Sequence, residues 1–557
     1  MAKIGELLIQ KGLITSQQLA LALNESKKTG EIIGEILVRL NFVTQRQLLE
    51  VLAEQLGLPY YSSLKDISIS SDVIKAVPAK FVWHYKFIPL KIKGKTLTIA
   101  VSDPLAVWPM EDLKLHLGYD VERVLTTEDE IMAAIRRYYG IGAETVEEIL
   151  TQSSVVAEKG KIKYEEIEDL EKSAQDASVI KLVNQILSEA ISSRATDIHI
   201  EPYRDHVRVR YRIDGILYDM RVPEQIKYLQ SAVVSRVKIL SNLNVVEKRL
   251  PQDGRAIIKI GDKQVDLRIS IIPSIYGENV VIRILPVHLL FNLEDLGFNP
   301  VDFKKMEELM LKPHGIVFLT GPTGSGKTTT LYACLSKLNK DAVKIITIED
   351  PVEYELSGIM QIQVKPEIGL TFANALRSIL RHDPDIMMVG EVRDLETAEL
   401  AIRTALTGHL IFSTLHTNDA PSGATRLLDI GIEPYLVASS VNAFISQRLV
   451  RVVCPACKEE MQDKELLPDV FKNMKIYYGK GCENCKFIGY KERTAIYEIL
   501  IVNEDIRELI LHKASAYQIK KKAQGLGFRT LREAGIEKVK LGITTPEEVL
   551  RVTEMEE

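Results

Sequence analysis

The sequence predicts a multidomain α/β protein, and three observations predict it. From about residue 291, short apolar runs at 316–320, 345–349, 386–389 and 410–415 alternate with helical stretches. That is the pattern of a parallel sheet covered on both faces. Before it, residues 207–213 alternate apolar and polar side chains with a period of two, the mark of a half-buried strand in a second α/β unit. The length of 557 residues accommodates about three to five domains of roughly 150 residues each.

Residues 1–56 carry an internal repeat. An offset of 29 sets Ile4 over Ile33, Gly5 over Gly34, Leu8 over Leu37, Thr15 over Thr44 and Leu19 over Leu48. Each copy reads as two short helices, with Thr15 and Thr44 as N-caps of the second. Paired helical hairpins of this kind pack on each other as a structural module. Residues 57–140 form a small α/β domain, with a strand at 97–101 and a closing helix at 128–139. Residues 141–175 are rich in Glu, Ser and Lys and read as a linker with some helix. An α/β domain follows over 176–290: a helix at 180–192, a strand at 197–200, then the 207–213 strand. Arg208, Arg210 and Arg212 share one face of that strand and read as a solvated basic face. Arg268 and Arg283 lie in more apolar strands, where a buried guanidinium needs an anionic partner.

Residues 321–330 read Gly-Pro-Thr-Gly-Ser-Gly-Lys-Thr-Thr-Thr, a complete phosphate-binding loop between an apolar strand and a helix over 327–339. Gly321, Gly324 and Gly326 let backbone N–H groups turn toward phosphate oxygens, and Pro322, Thr323 and Ser325 complete the turn. Lys327 can reach the β- and γ-phosphates. Thr328, followed by Thr329, can offer its hydroxyl to Mg²⁺. Further polar residues fall at the other strand ends: Glu349, Asp350 and Glu353, then Glu391, then His409 and His416 bracketing the fourth run. Ligands of parallel sheets sit at such ends. Gly390 precedes Glu391 where a standard second nucleotide motif has Asp, so Glu391 would act on the metal through water.

Cys454-x2-Cys457 and Cys482-x2-Cys485 make a four-thiolate set suited to structural Zn²⁺. The fifth cysteine, Cys334, reads as core. A net charge of −5, from 71 basic and 76 acidic residues, gives no global attraction for nucleic acid. There is no run of 18 apolar residues, and the N-terminus lacks a signal peptide's apolar core, which sets the expectation of a cytosolic chain.

These blocks together resemble the secretion ATPase superfamily of type II secretion and type IV pilus motors over nearly the whole chain. Residues 321–329 are similar to its Walker A box, 347–353 to its Asp box, 385–394 to its atypical Walker B and 407–417 to its His box. The resemblance implies a RecA-like ATPase core at 291–557, with the cysteine insert at 450–490 and C-terminal helices, behind a PAS-like domain. It implies Glu353 as general base, Glu391 as the Walker B glutamate, Arg268 and Arg283 as arginines reaching the nucleotide phosphates, and His409 and His416 as sensing or interface residues. ATP and Mg²⁺ come with it. So do a homo-hexameric ring, an inner-membrane platform protein and a cytoplasmic-ring partner, with peripheral association at the inner membrane. The cysteine insert is similar to that of the assembly and secretion branch. The N-terminal repeat resembles the cyclic-di-GMP-binding domain of some members, which would use Lys3, Gly5, Gly34 and Gln55. Its motif usually begins Arg-Leu-Gly, whereas the copies here begin Lys3-Ile4-Gly5 and Ile32-Ile33-Gly34. The expected function is an ATPase motor for pilus extension or secretion. The alternatives are a nucleic-acid-linked motor and a nucleotide-sensing scaffold that hardly turns over.

Overall fold

The computed structural model describes residues 4–65, 67–104, 113, 114, 117–143, 145, 146, 177–260, 263–286, 292–465 and 467–553. Lys3 and most of the expected linker lie outside these residues. The chain divides into two compact units, Met1–Leu285 and Pro286–Glu557.

The first unit opens with the repeat, as helices Ile4–Gln10, Ser16–Thr29, Ile33–Arg39 and Gln45–Leu56. Thr15 and Thr44 each close a capping box, accepting from the backbone N–H of Gln18 and Gln47 while those glutamines reach back. Gly5 and Gly34 occupy equivalent close contacts. A Cβ on Gly5 would stand 2.5 Å from Leu19 Cδ1, and one on Gly34 would stand 3.0 Å from Leu48 Cδ2. The repeated glycines therefore let the first helix of each hairpin approach the second, around a core of Leu8, Ile14, Ile36, Leu37 and Val43.

A three-stranded sheet follows, ordered Phe87–Lys93, Thr96–Val101, Asp120–Leu125. The first pair is antiparallel and the second parallel, and the helix Glu128–Tyr138 belongs to its core. The start of the expected linker is built into the fold. Ile141 donates its N–H to Arg221 O at 2.8 Å, and Val146 is buried.

The third module has a six-stranded sheet in the order Ile216–Met220, Val207–Ile213, Ala195–Pro202, Gly277–Pro286, Lys263–Ser274, Gln252–Ile260. The helix Ala177–Ser192 lies against it, and the buried Tyr211 hydroxyl donates to Ile186 O at 2.8 Å. Alternation along these strands sends arginines to the opposite face. There they meet carboxylates: Arg208 with Asp219 at 3.0 Å, Arg210 with Glu201 at 2.6 Å, Arg212 with Asp197 at 3.6 Å and Arg283 with Asp197 at 3.0 Å. Two expectations change. The basic face of 207–213 is neutralised by neighbouring strands rather than simply solvated. Arg283 has its anionic partner but is not buried, because it falls on the open side of the pleat, with its side chain 58% exposed.

The second unit is built on a seven-stranded sheet in the order Met360–Gln363, Ile345–Glu349, Ile386–Val389, Leu410–Leu415, Gly315–Thr320, Val441–Val453, Tyr490–Ile501. The first six strands are parallel, each to the next, as the apolar runs predict. The last pairs antiparallel with Val441–Val453, so the sheet is mixed. Strands 315–320 and 410–415 are buried along their whole length. Helices Lys327–Leu338, Leu395–Leu406 and Pro421–Ile430 contribute to the apolar clusters around the sheet.

Candidate active site and metal centre

The strand Gly315–Thr320 delivers the chain into the phosphate loop, and the helix Lys327–Leu338 leaves it. Gly321, Gly324 and Gly326 have φ of 142°, 79° and 88°, a backbone region that side chains oppose. Space excludes a side chain as well: a Cβ on Gly326 would stand 2.8 Å from Gln447 Nε2, and one on Gly321 would stand 2.8 Å from Gln447 O. Lys327 Nζ donates to Gly321 O at 2.7 Å and Pro322 O at 3.0 Å, which holds the ammonium over the loop. Burial pushes that ammonium down to about 8, Arg448 adds to the fall and Glu391 opposes it. The Ser325 hydroxyl is buried without a protein partner, and Thr328 and Thr329 are half-buried in the first helical turn. Three positive-φ glycines, a helix N-terminus, a lysine and an unsatisfied hydroxyl together fit a nucleotide phosphate chain with its Mg²⁺.

Other strand ends converge here. The strand Ile386–Val389 ends at Gly390, where a Cβ would stand 3.2 Å from Ile348 O and 3.5 Å from Glu349 Cα. The glycine at this position is thus explained by the close approach of the adjacent strand. Glu391 follows, held by Arg393 Nε at 2.7 Å and His416 Nε2 at 3.3 Å. His416 lies just past the carboxyl end of Leu410–Leu415, as a site residue should. His409 does not join it. It precedes the amino end of that strand, with Nδ1 3.1 Å from Thr404 O. The two histidines lie seven residues apart along the strand, about 23 Å at roughly 3.3 Å per residue. Asp394, at the end of the same block, caps the helix Leu395–Leu406, accepting from Thr397 N at 2.8 Å.

Glu349 is buried rather than a surface cap, and Glu353 is half-buried beyond it. Two further residues escaped the sequence reading. Gln447 accepts from Thr330 Oγ1 at 2.8 Å, and Arg448 Nη2 donates to Asn418 O at 2.7 Å. Both arrive because Ser446 pairs with Thr320 in parallel register, a long-range fact with no local signal. Arg268 and Arg283 belong to the first unit.

The four cysteines form the second site. Their sulfurs lie within 4.8 Å of one another, with Cys454–Cys482, Cys457–Cys485 and Cys482–Cys485 each at 3.8 Å. A tetrahedron with metal–sulfur bonds of about 2.3 Å has edges of about 3.8 Å, so this set fits Zn²⁺. Backbone N–H groups of Gly481, Cys482 and Gly489 point at sulfurs at 3.2–3.3 Å, the donors a thiolate cluster needs. A metal held by all four thiolates would keep no open coordination position, which is the pattern of a structural site.

The family model described as "Type II/IV secretion system protein" matches residues 172–551. A second model, the MshEN domain, matches residues 56–145, which is the α/β module after the helical repeat and not the repeat to which the sequence reading attached cyclic-di-GMP. The chain is 44% identical over 559 residues to the type IV pilus assembly ATPase PilB of Myxococcus xanthus, covering 98% of each. It is 40% identical over 566 residues to the type II secretion system protein E of Xanthomonas campestris pv. campestris, covering 99% of this chain and 98% of that one. Among solved structures, the Legionella pneumophila ATPase DotB superposes with a TM-score of 0.51 at 20% identity, over 66% of this chain and 94% of that one. This last likeness concerns the fold alone.

Proposed function

The chain belongs to the type II/IV secretion system protein family, and from that premise we propose that it is an ATP-hydrolysing motor that drives assembly of a type IV pilus or of a type II secretion pseudopilus. The observation that carries the reading is the phosphate loop with Glu391 and His416 brought beside it from separate strand ends.

Each residue has a task in that reaction. The loop N–H groups and Lys327 bind and orient the triphosphate. Thr328, and Glu391 through water, would hold Mg²⁺, which would supply positive charge to the phosphate oxygens. Glu353 acts as general base, orienting and deprotonating the attacking water. Arg268 and Arg283 offset charge that develops on the transferred phosphoryl group, a contribution of about 10³ to 10⁵ in rate for such arginines. His416 steadies Glu391. The working state is a homo-hexamer on the cytoplasmic face of the inner membrane, coupled to a platform protein and a cytoplasmic-ring partner. Among the described residues no helix is long and apolar enough to cross a membrane. Attachment to the inner membrane runs through those partners. Pilus extension and secretion share this chemistry.

The test is turnover and binding measured together. Lys327→Ala should abolish ATP binding, and Arg268→Ala should keep binding while losing about 10³-fold in turnover. Near wild-type hydrolysis in both variants would sink the mechanism. Cyclic-di-GMP is assigned to the N-terminal modules on the strength of the MshEN match. Gly5 and Gly34 are packing positions of the repeat, and they, like Lys3 and Gln55, precede the matched residues 56–145. Calorimetric titration of the full chain with cyclic-di-GMP, showing no heat at any concentration, would remove that assignment.

A further inference from the structure

The helix that leaves the phosphate loop carries a tyrosine one turn past the Mg²⁺-directed threonine. Thr328 and Tyr332 are four residues apart and share a face. Tyr332 is 2% exposed and packs edge-on against Tyr354, with centroids 4.6 Å apart at 78°. Its hydroxyl donates to Glu349 Oε2 and accepts from Glu353 N–H at 3.4 Å and from Gln361 Nε2 at 3.4 Å. Glu349 is 3% exposed and also accepts from Thr347 Oγ1 at 2.6 Å and Gln361 Nε2 at 3.1 Å. Gln361 Nε2 donates in addition to Tyr354 O at 3.2 Å, and its Oε1 accepts from Leu356 N at 2.7 Å.

A buried carboxylate is costly unless its oxygens are satisfied, so this network has a cost that simple packing would avoid. Phenylalanine at 332 and an apolar residue at 349 would fill the same space. Burial and the neighbouring Glu349 charge both hold the Tyr332 phenol protonated, which keeps it a donor. What the network reaches is the backbone N–H of Glu353 itself.

We propose that Tyr332, oriented by Glu349 and Gln361, is a positioning residue that fixes the Glu353 segment relative to the phosphate loop. The inference rests on the reading of Glu353 as general base. One rigid helix then carries the phosphate-binding lysine, the Mg²⁺-directed hydroxyl and the strut that sets the base. Displacing a base by about 1 Å costs up to about a hundredfold in rate, while nucleotide binding depends on groups one turn away.

The experiment measures ATP affinity and turnover for the full chain as wild type, Tyr332→Phe, Glu353→Gln and the double variant. Tyr332→Phe keeps the ring and removes only the hydroxyl. The expected result is ATP affinity within about threefold of wild type and turnover lower by about ten- to a hundredfold. In the double variant, Tyr332→Phe should add nothing to the loss from Glu353→Gln, since no base remains to be positioned. Wild-type turnover in Tyr332→Phe, parallel loss of binding and turnover, or an undiminished extra loss in the double variant would each overturn the proposal. Should Tyr332→Phe fail to fold, Gln361→Leu removes the Gln361 bonds to the Tyr332 hydroxyl and to Glu349, together with those to Tyr354 O and Leu356 N, from a half-exposed strand, and the same pattern is expected. Full turnover in Glu353→Gln alone would defeat the general-base reading instead, so the two failures are distinguishable.

Discussion

The Lys327 ammonium carries a direct pH prediction. Its ordinary value is 10.5, and burial, with Arg448 nearby, brings it to about 8. Below that pH the free protein already holds the proton that phosphate binding needs. Above it, binding must take up a proton, and affinity should fall by up to about tenfold per pH unit. Calorimetry at pH 9 in two buffers of different ionisation heat reads this as proton uptake, and equal heats would contradict it. The sequence exposed Lys327 because its whole motif is local. Gln447 and Arg448 were illegible because strand pairing alone brings them to the loop. His409 and His416 flank one strand, as the sequence has them, and only His416 lies at its carboxyl end. Tyr332 was hidden because a tyrosine inside an apolar helix pattern reads as core until its hydroxyl's partners are seen.

At the level of elements, the C-terminal helix Pro546–Val552 is tied down by Glu548, which is 1% exposed. Burial alone would push its carboxyl up, but hydrogen bonds from Arg551 and Arg451 outweigh it and hold it at about 2. A folded-state value below the ordinary 4.5 stabilises above about pH 4.5, and that contribution is lost as pH falls toward 2. Melting of Glu548→Gln against wild type should therefore show its largest gap near neutral pH, shrinking on acidification; a constant gap would count against the ion pairs. The cysteine insert makes a second prediction. It extends from the end of Val441–Val453, beyond the segment that meets the phosphate loop. Chelation, or Cys457→Ser, should release one metal ion per chain and expose the insert to protease, with ATP affinity unchanged. Metal analysis and limited proteolysis decide it. The cysteine spacing was legible because it is short-range. The antiparallel pair carrying the insert was not, since one strand is parallel to its first neighbour and antiparallel to its second.

For the whole molecule, the alternation of apolar runs and helices was enough to read the parallel core, and offset self-similarity was enough to read the repeat. What composition obscured was the junction at 141–146, where polar residues suggested a linker but Ile141 and Val146 are held by the fold. If a ring completes the catalytic centre, turnover per chain should rise with chain concentration and level off as the hexamer forms. Turnover independent of concentration in a demonstrably monomeric sample would argue for a self-sufficient subunit. At the centre of the proposed function, this chain binds ATP and cleaves it with Glu353 as base. The deciding measurement is single-turnover hydrolysis of prebound ATP by Glu353→Gln beside wild type. The predicted result is retained binding with cleavage slowed by about 10²- to 10⁴-fold, whereas cleavage at the wild-type rate would contradict it.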